Sequence, residues 1–138
     1  MLATSHALVG ATLVRVIPDP RISLPLAFLS HFFLDRIPHW DTATDIKSRP
    51  LYQTCLLTVL DVLFGFFLVF LLFSSTSPVL LFWGILAAQI VDWVESPYYF
   101  LNWQFPPFSW IYQLQSLNHH RQTLPWGLVT QVILVIPL

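Results

Sequence analysis

Apolar residues fill five segments of the chain, and short polar or proline-rich stretches separate them. Two segments, residues 51–73 and 79–101, are long enough to cross a hydrocarbon core of about 30 Å. The other three, residues 2–17, 22–37 and 126–138, are shorter and fit tilted, partial or re-entrant spans. Because backbone polar groups that contact lipid must bond to one another, we predict that all five segments are helical.

The connections between the segments predict two antiparallel hairpins. Residues 18–21, PDPR, join the first two segments, and residues 74–78, SSTSP, join the two long ones. Proline interrupts a helix, and Asp and Ser favour turns. Connections this short place consecutive helices side by side. We therefore expect one all-α domain, residues 1–138, forming an integral membrane bundle of about five helices: two antiparallel hairpins and a short C-terminal helix.

The composition favours a membrane environment and argues against several classes of protein. The chain is 56% hydrophobic and only 9% charged, whereas an ordinary soluble domain is about 25% charged. A surface this apolar would aggregate in water. The formal net charge is −1, which does not indicate a nucleic-acid partner. A single cysteine, Cys55, provides neither a disulfide framework nor a cysteine-based zinc site.

Hairpin geometry brings polar residues from different segments to one end of the molecule. In the first hairpin, His6 is expected within about one helical turn of His31 and Asp35. In the second hairpin, Asp61 is expected opposite Asp92. Each group lies about 20 Å from its own turn, at 1.5 Å per helical residue. The polar stretches that follow each hairpin emerge at the same end.

Asp61 and Asp92 need a compensating positive charge. A carboxylate within a bilayer span is unfavourable and usually functional. Two facing carboxylates cannot both stay ionised without a cation between them, and residues 51–101 contain no Lys or Arg. The compensating charge is therefore a proton, an imidazolium or a metal ion. A protonated pair that holds two helices together is one interpretation, and the five histidines of the chain favour the metal.

Residues 30–41, SHFFLDRIPHWD, carry His and Asp at the spacing of metal ligands. His31 and Asp35 share a helix face because they are four residues apart. His39 follows Pro38, which ends the helix. Without thiolates, imidazole and carboxylate ligands suit zinc best, with manganese or iron as alternatives. Because a structural zinc ion needs four ligands and the chain offers more, we predict one or two divalent ions. The candidate ligands are His6, His31, Asp35, His39, Asp41, Asp61, Asp92, His119 and His120.

A metal ion at the membrane interface suits hydrolysis. The ion lowers the pKa of a bound water molecule to about 7, and the electrophile at that level is a phosphodiester or ester of a lipid headgroup. Arg121 is placed either to hold a phosphate or to extend to the interface. Glu95 is a candidate metal ligand, general base or partner of the interfacial backbone, and the last two are favoured. We expect a metal-dependent hydrolase for a lipid-like or small phosphoester or ester, with candidate catalytic residues Asp61, Asp92, Glu95 and Arg121.

Two motifs carry a family resemblance. SHALVGATL, residues 5–13, and LSHFFLDRIPHWD, residues 29–41, resemble the YdjM-like family of membrane-bound proteins described as metal-dependent hydrolases. HHRQTLPWG, residues 119–127, matches only part of that family's HRGxTHS element, because the second His is absent. The His-x-x-x-Asp pair is similar, by analogy only, to that of the all-helical zinc-dependent phospholipases C and single-strand nucleases. The family resemblance implies metal ligation by His6, His31 and Asp35, and by His39 or Asp41.

The distribution of basic residues predicts the orientation in the membrane. Most of the Lys and Arg residues fall at the end that carries the polar cluster, and the positive-inside rule then favours a site facing the cytoplasm of a prokaryotic inner membrane. The basic residues at that end are Arg36, Lys47, Arg49 and Arg121, against Arg15 and Arg21 at the other.

Two other classes of function stay open. Intramembrane Asp and His also form ion relays, as in a transporter of metal ions or protons. A metal ion ligated entirely by protein would instead stabilise a membrane scaffold without catalysis. The acidic residues cluster at one end and do not line a path, which favours the hydrolase. The sequence does not indicate the oligomeric state.

Overall fold

The computed structural model describes residues 1–44 and 46–136, and this part of the chain is all-helical. Five of its helices begin within two residues of the predicted segments. The extra helix, α5, lies in the polar and aromatic stretch that follows the second predicted hairpin, where no helix was predicted. The last two residues of the fifth predicted segment lie outside the described residues. The helices are α1 (Ala3–Val16), α2 (Pro20–Asp35), α3 (Leu51–Leu72), α4 (Pro78–Phe100), α5 (Phe108–Asn118) and α6 (Trp126–Val135).

Turn residues set the helix ends at the two hairpins, as the sequence predicts. The Asp19 carboxylate accepts a hydrogen bond from the Arg21 N–H at 2.9 Å, and Pro20 is the first residue of α2. Pro78 begins α4 in the same way. Proline suits the first position of a helix because its missing N–H would have no partner there.

Helix α1 lies at the centre of the bundle and packs against α2, α3 and α4. Its closest approach to α4 is made by small residues: a Cβ added to Gly10 would lie 2.5 Å from the Gly84 carbonyl oxygen. On the other side, a Cβ added to Gly65 of α3 would lie 3.0 Å from Thr4 Cα. Small residues at helix crossings are typical of membrane bundles, where close packing drives association.

The two long helices, α3 and α4, contact each other much less than each contacts α1. They have the short connection of a hairpin, but α1 lies against both of them, and the small residues described above allow this close approach. Only Thr54, Gly65 and Val69 of α3 are buried. A cleft therefore separates α3 from α4 along part of their length.

Both long helices could cross a membrane by length and composition. The most apolar windows of α3 and α4 have mean hydropathies of 2.7 and 1.4. The more apolar helix, α3, is also the one that buries fewer of its residues.

The close α1–α4 crossing predicts a graded effect of added methyl groups. Gly10→Ala is expected to lower the unfolding temperature of the protein in detergent, because overpacking typically costs about 1–3 kcal/mol. Gly65→Ala should lower it less, since its Cβ would meet its nearest neighbour at 3.0 Å and not at 2.5 Å. Thermal unfolding followed by circular dichroism measures both. If the Gly10→Ala protein is as stable as the wild type, this contradicts the close packing of α1 on α4 at Gly10.

Candidate metal centre

The buried carboxylate of Asp35, at the end of α2, lies at the centre of a cluster of histidines. His31 lies one turn earlier on the same face, with its Nε2 3.2 Å from Asp35 Oδ2. His6 of α1 stacks on His31, with ring centroids 4.2 Å apart, and its Nε2 is 3.3 Å from Asp35 Oδ1. The structure thus brings together three residues that hairpin geometry predicted to be neighbours.

Two further histidines approach Asp35 from irregular segments. His39 Nε2 lies 3.8 Å from Asp35 Oδ1, and His119 Nε2 lies 3.2 Å from Asp35 Oδ2. The His39 N–H donates to the His120 carbonyl at 3.0 Å, and the Gln122 N–H donates to the His39 carbonyl at 2.7 Å. These bonds hold the segment after α5 beside the loop after α2, which places His39 and His119 at the same cluster.

Backbone carbonyls orient two of the imidazole rings. His31 Nδ1 donates to the Ala88 carbonyl at 2.9 Å, and His39 Nδ1 donates to the Ile37 carbonyl at 2.7 Å. A carbonyl oxygen only accepts, so Nδ1 carries the proton in both rings. In a neutral ring Nε2 then carries the lone pair, as in metal-binding histidines; His39 Nε2 has no hydrogen-bond partner among the described residues, whereas His31 Nε2 lies 3.0 Å from the Gln115 amide nitrogen.

The spacing of donor atoms across the cluster is compatible with metal coordination, and most of the distances are longer than an ordinary hydrogen bond. Carboxylate oxygens and imidazole Nε2 atoms face each other at 3.2–3.8 Å. Hydrogen bonds from nitrogen to oxygen are about 2.7–3.2 Å long, whereas two ligands of one tetrahedral zinc ion lie about 3.4 Å apart.

Several of these buried donor atoms lack a hydrogen-bond partner among the described residues. They include Nε2 of His6, His39 and His119. Asp35 Oδ2 is also without one, although the amino group of Met1 donates to Asp35 Oδ1 at 2.6 Å. Buried polar atoms are nearly always paired in proteins. A cation would provide the missing partner.

Two groups of three side chains could each hold a metal ion, and within each group the ligand atoms lie within 4.8 Å of one another. The Asp35 carboxylate belongs to one group, and its oxygens lie 3.2–3.3 Å from two imidazoles of the other. Asp35 therefore lies between the groups. One group is His6, His31 and Asp92, and the other is Asp35, His39 and His119.

Asp41 connects the cluster to Arg121. Asp41 Oδ2 lies 3.0 Å from Arg121 Nε and 3.6 Å from His119 Nε2. Burial opposes ionisation of Asp41, but its contacts with His39 and Arg121 outweigh this and hold the pKa of the carboxyl well below its usual range. A terminal nitrogen of Arg121 also donates to the Tyr99 hydroxyl at 3.2 Å. The guanidinium is thus held in one orientation beside the histidines.

Of the two adjacent histidines that the sequence proposed, the structure places only His119 at the cluster. Burial lowers the pKa of His119 to about 3, so its imidazole is neutral at pH 7 and its nitrogen can bind a metal. The His120 side chain is exposed. Its backbone N–H donates to the Asp35 carbonyl at 3.3 Å, so His120 contributes through its main chain.

The structure gives Asp61 a different place from the one predicted. Its carboxylate does not pair with Asp92 but accepts hydrogen bonds from the N–H groups of Ala3 and Thr4, at 2.6 and 3.2 Å, and from the Thr4 hydroxyl at 2.7 Å. The first N–H groups of a helix have no partner within it, and the positive end of the helix dipole favours an anion. Asp61 therefore caps α1 and positions the helix that carries His6.

A cavity of about 490 Å³ lies beside the cluster, between α3 and α4. Glu95 lines it, is only 4% exposed, and its Oε1 has no hydrogen-bond partner in the described part of the chain. The cavity therefore joins the candidate ligands to apolar walls. Its polar lining includes Asp41, Asp92, Glu95, His119 and Arg121, and its apolar lining includes Val59, Val62, Leu63, Trp93 and Phe100.

Sequence reasoning missed Gln115 of α5. This side chain is fully buried, and its amide nitrogen lies 3.0 Å from His31 Nε2 and 3.2 Å from Asp92 Oδ1, to which it donates. It holds these two candidate ligands in place. The sequence carried no signal for this role, since α5 itself was not predicted and a single Gln in a polar stretch is unremarkable.

The fold and the cluster define an all-α protein with a buried His and Asp centre able to hold metal. Comparison with protein-family models, curated proteins and solved structures found no match for the chain. The resemblance to the YdjM-like family therefore stays a prediction from the two sequence motifs.

The two ligand groups predict separable losses of metal. We expect the protein, purified without chelator, to carry up to two divalent ions. His6→Ala should remove the ion of one group and His119→Ala the ion of the other, because each variant leaves only two ligands of its group. Elemental analysis by mass spectrometry measures metal per chain. His120→Ala is the matched control and should keep the wild-type content; equal losses in His119→Ala and His120→Ala would contradict the assignment.

Proposed function

We propose that the chain is an integral membrane protein. The most apolar helix, α3, exposes large side chains along its length, among them Leu63, Phe67 and Leu71 at 59%, 61% and 59%. A core helix of a soluble protein would bury such residues. A bilayer accounts for both their number and their exposure, because lipid chains are as apolar as these side chains.

The polar end of the bundle fits the headgroup layer. Trp103, which precedes α5, is 43% exposed, and Trp110, within α5, is 65% exposed. Tryptophan is enriched at membrane–water interfaces because its ring is apolar and its N–H is polar. The excess of Lys and Arg at this end favours a cytoplasmic orientation. The metal centre then lies at the depth of lipid headgroups.

We further propose that the protein is a metal-dependent hydrolase that cleaves a phosphoester or ester of a lipid-like substrate. The observation that carries the proposal is the set of imidazoles and carboxylates facing each other at 3.2–3.8 Å, beside a cavity with apolar walls. Imidazole and carboxylate ligands favour zinc, and manganese or iron accept the same donors. The motif resemblance to the YdjM-like family supports the same class of reaction.

The residues around the cavity divide the chemistry between them. A divalent ion held by the His and Asp side chains around Asp35 would supply charge that lowers the pKa of a water molecule and polarises the ester. Glu95 would accept a proton from the attacking water, whose oxygen forms a bond to the phosphorus or carbonyl carbon. The bond from that atom to the leaving alcohol breaks, and Glu95 returns the proton to the alcohol oxygen. Arg121 binds the phosphate oxygens, and Asp41 holds Arg121 in place.

Two substitutions separate these roles. Glu95→Gln should lower kcat about 10²- to 10⁴-fold, as expected for loss of a general base, while the metal content stays unchanged. Arg121→Gln should raise KM for a phosphodiester but not for an uncharged ester. Hydrolysis of bis(p-nitrophenyl) phosphate and p-nitrophenyl butyrate by the purified protein measures both effects. Ser96→Ala is the control for a change in the cavity wall and should leave both rates near wild type.

Removal of the metal provides the second control. Dialysis against a chelator should abolish hydrolysis of both substrates, and the ion found in the purified protein should restore it. A protein with full metal content that hydrolyses neither substrate would contradict the hydrolase and support a metal-stabilised scaffold.

A further inference from the structure

The cavity beside the metal centre opens sideways between α3 and α4. Three of the residues that line it, Val59, Leu63 and Trp93, are 54%, 59% and 47% exposed. They therefore stand at the mouth of the cavity, on the outer flank of the two long apolar helices. The opening exists because α3 and α4 contact each other little. In a bilayer this flank contacts acyl chains and not water.

The cavity as a whole is about as long as an alkyl chain. Its α4 wall extends from Gln89 to Phe100, a distance of roughly 16 Å at 1.5 Å per residue. Trp93 and Phe100 give this wall its apolar surface, between polar residues of the same helix. The opposite wall includes Val62 of α3. The volume of about 490 Å³ lies within the range of about 300–1,000 Å³ for pockets that hold one small ligand. A cavity of this length and volume accommodates one chain, with any further chain of the same lipid left outside in the bilayer.

The polar end of the cavity suits an anionic headgroup. Arg121 lines this end beside His119, and its orientation is fixed by Asp41 and by the Tyr99 hydroxyl. A guanidinium held in one orientation is well suited to bind phosphate through two parallel hydrogen bonds. Glu95, whose Oε1 has no hydrogen-bond partner among the described residues, lies on the same lining. Charge and apolar surface are thus arranged along one cleft, as they are along a lipid.

We propose that this cleft binds one alkyl chain of a phosphate-headed lipid, which enters sideways between α3 and α4 and places its phosphate at the Arg121 end. The proposal rests on the proposed function, since it takes the metal centre as the place where the headgroup ester is cleaved. It narrows the substrate to a lipid with a phosphate headgroup and adds the route of entry. A water-soluble phosphoester would use the polar end alone.

A phosphonate probe tests binding without hydrolysis, because its C–P bond is not cleaved as an ester. The probe is dodecylphosphonate with a diazirine on its alkyl chain, added to the metal-loaded protein in phosphatidylcholine vesicles. After illumination, mass spectrometry should locate the cross-links in residues 58–63 and 89–100. Excess plain dodecylphosphonate should suppress them, whereas butylphosphonate and dodecyltrimethylammonium should compete at least about tenfold less well.

Two pairs of variants give the controls. Val59→Trp should narrow the mouth of the cavity and reduce cross-linking several-fold. Leu60→Trp should not, because Leu60 is a neighbouring residue of similar exposure that does not line the cavity. Arg121→Gln should weaken competition by dodecylphosphonate about tenfold, the usual effect of losing a charge-assisted hydrogen bond. Arg36→Gln, which changes an exposed arginine outside the cavity, should leave competition unchanged.

The outcomes distinguish the lipid proposal from the hydrolase. Cross-links spread evenly over all exposed apolar helix faces, or equal effects of Val59→Trp and Leu60→Trp, would overturn the lipid cleft even if soluble esters are hydrolysed. A different result would separate the two proposals. If the cross-links are localised and both Val59→Trp and Arg121→Gln weaken them, but the protein hydrolyses no ester, lipid binding in the cleft is supported and the hydrolase proposal is contradicted.

Discussion

The arrangement of the whole molecule depends on one buried carboxylate, Asp35, enclosed by imidazole nitrogens. Its oxygens face Nε2 atoms of His6, His31 and His119 at 3.2–3.3 Å, and His39 is slightly farther away. The amino group of Met1 donates to Asp35 Oδ1 at 2.6 Å. The remaining lone pairs of the carboxylate and the imidazoles repel in this buried site unless a proton or a metal ion lies between them. A cation at this point would connect α1, α2 and the segments that follow α2 and α5. Metal binding and folding are then expected to be coupled, as they are in many small metal-containing domains.

The position of α1 accounts for both the ligand cluster and the cavity. Small residues allow α1 to lie close to both long helices, and Asp61 of α3 caps its first turn. This places His6 against His31 on one side of α1. The same packing keeps α3 apart from α4, so a cleft remains beside the candidate ligands. One helix packing arrangement therefore produces a polar centre and an apolar access route next to each other.

The sequence predicted the helices and part of the centre because those features follow from local periodicity. Apolar segments bounded by proline and polar turns located five helices, and the short α1–α2 connection placed His6 near His31 and Asp35. The same reasoning failed for Asp61, because the hairpin argument assumed that α3 packs on α4 and could not foresee that Gly10 and Gly65 bring α1 against both. Likewise, periodicity could not select His119 over His120. Backbone hydrogen bonds between non-helical segments around residue 39 decide which of the two side chains points inward.

We expect imidazole and carboxylate side chains to hold a metal ion at Asp35. X-ray absorption spectroscopy at the metal edge of the purified protein is the decisive experiment, because the spectrum reports the atoms bound to the metal. We expect a shell of nitrogen and oxygen atoms at about 2.0–2.2 Å, as for zinc bound by His and Asp, with the outer-shell signal of imidazole rings. Asp35→Asn should weaken or remove that spectrum. A protein that contains no metal, or whose metal shows no imidazole signal, would contradict the account.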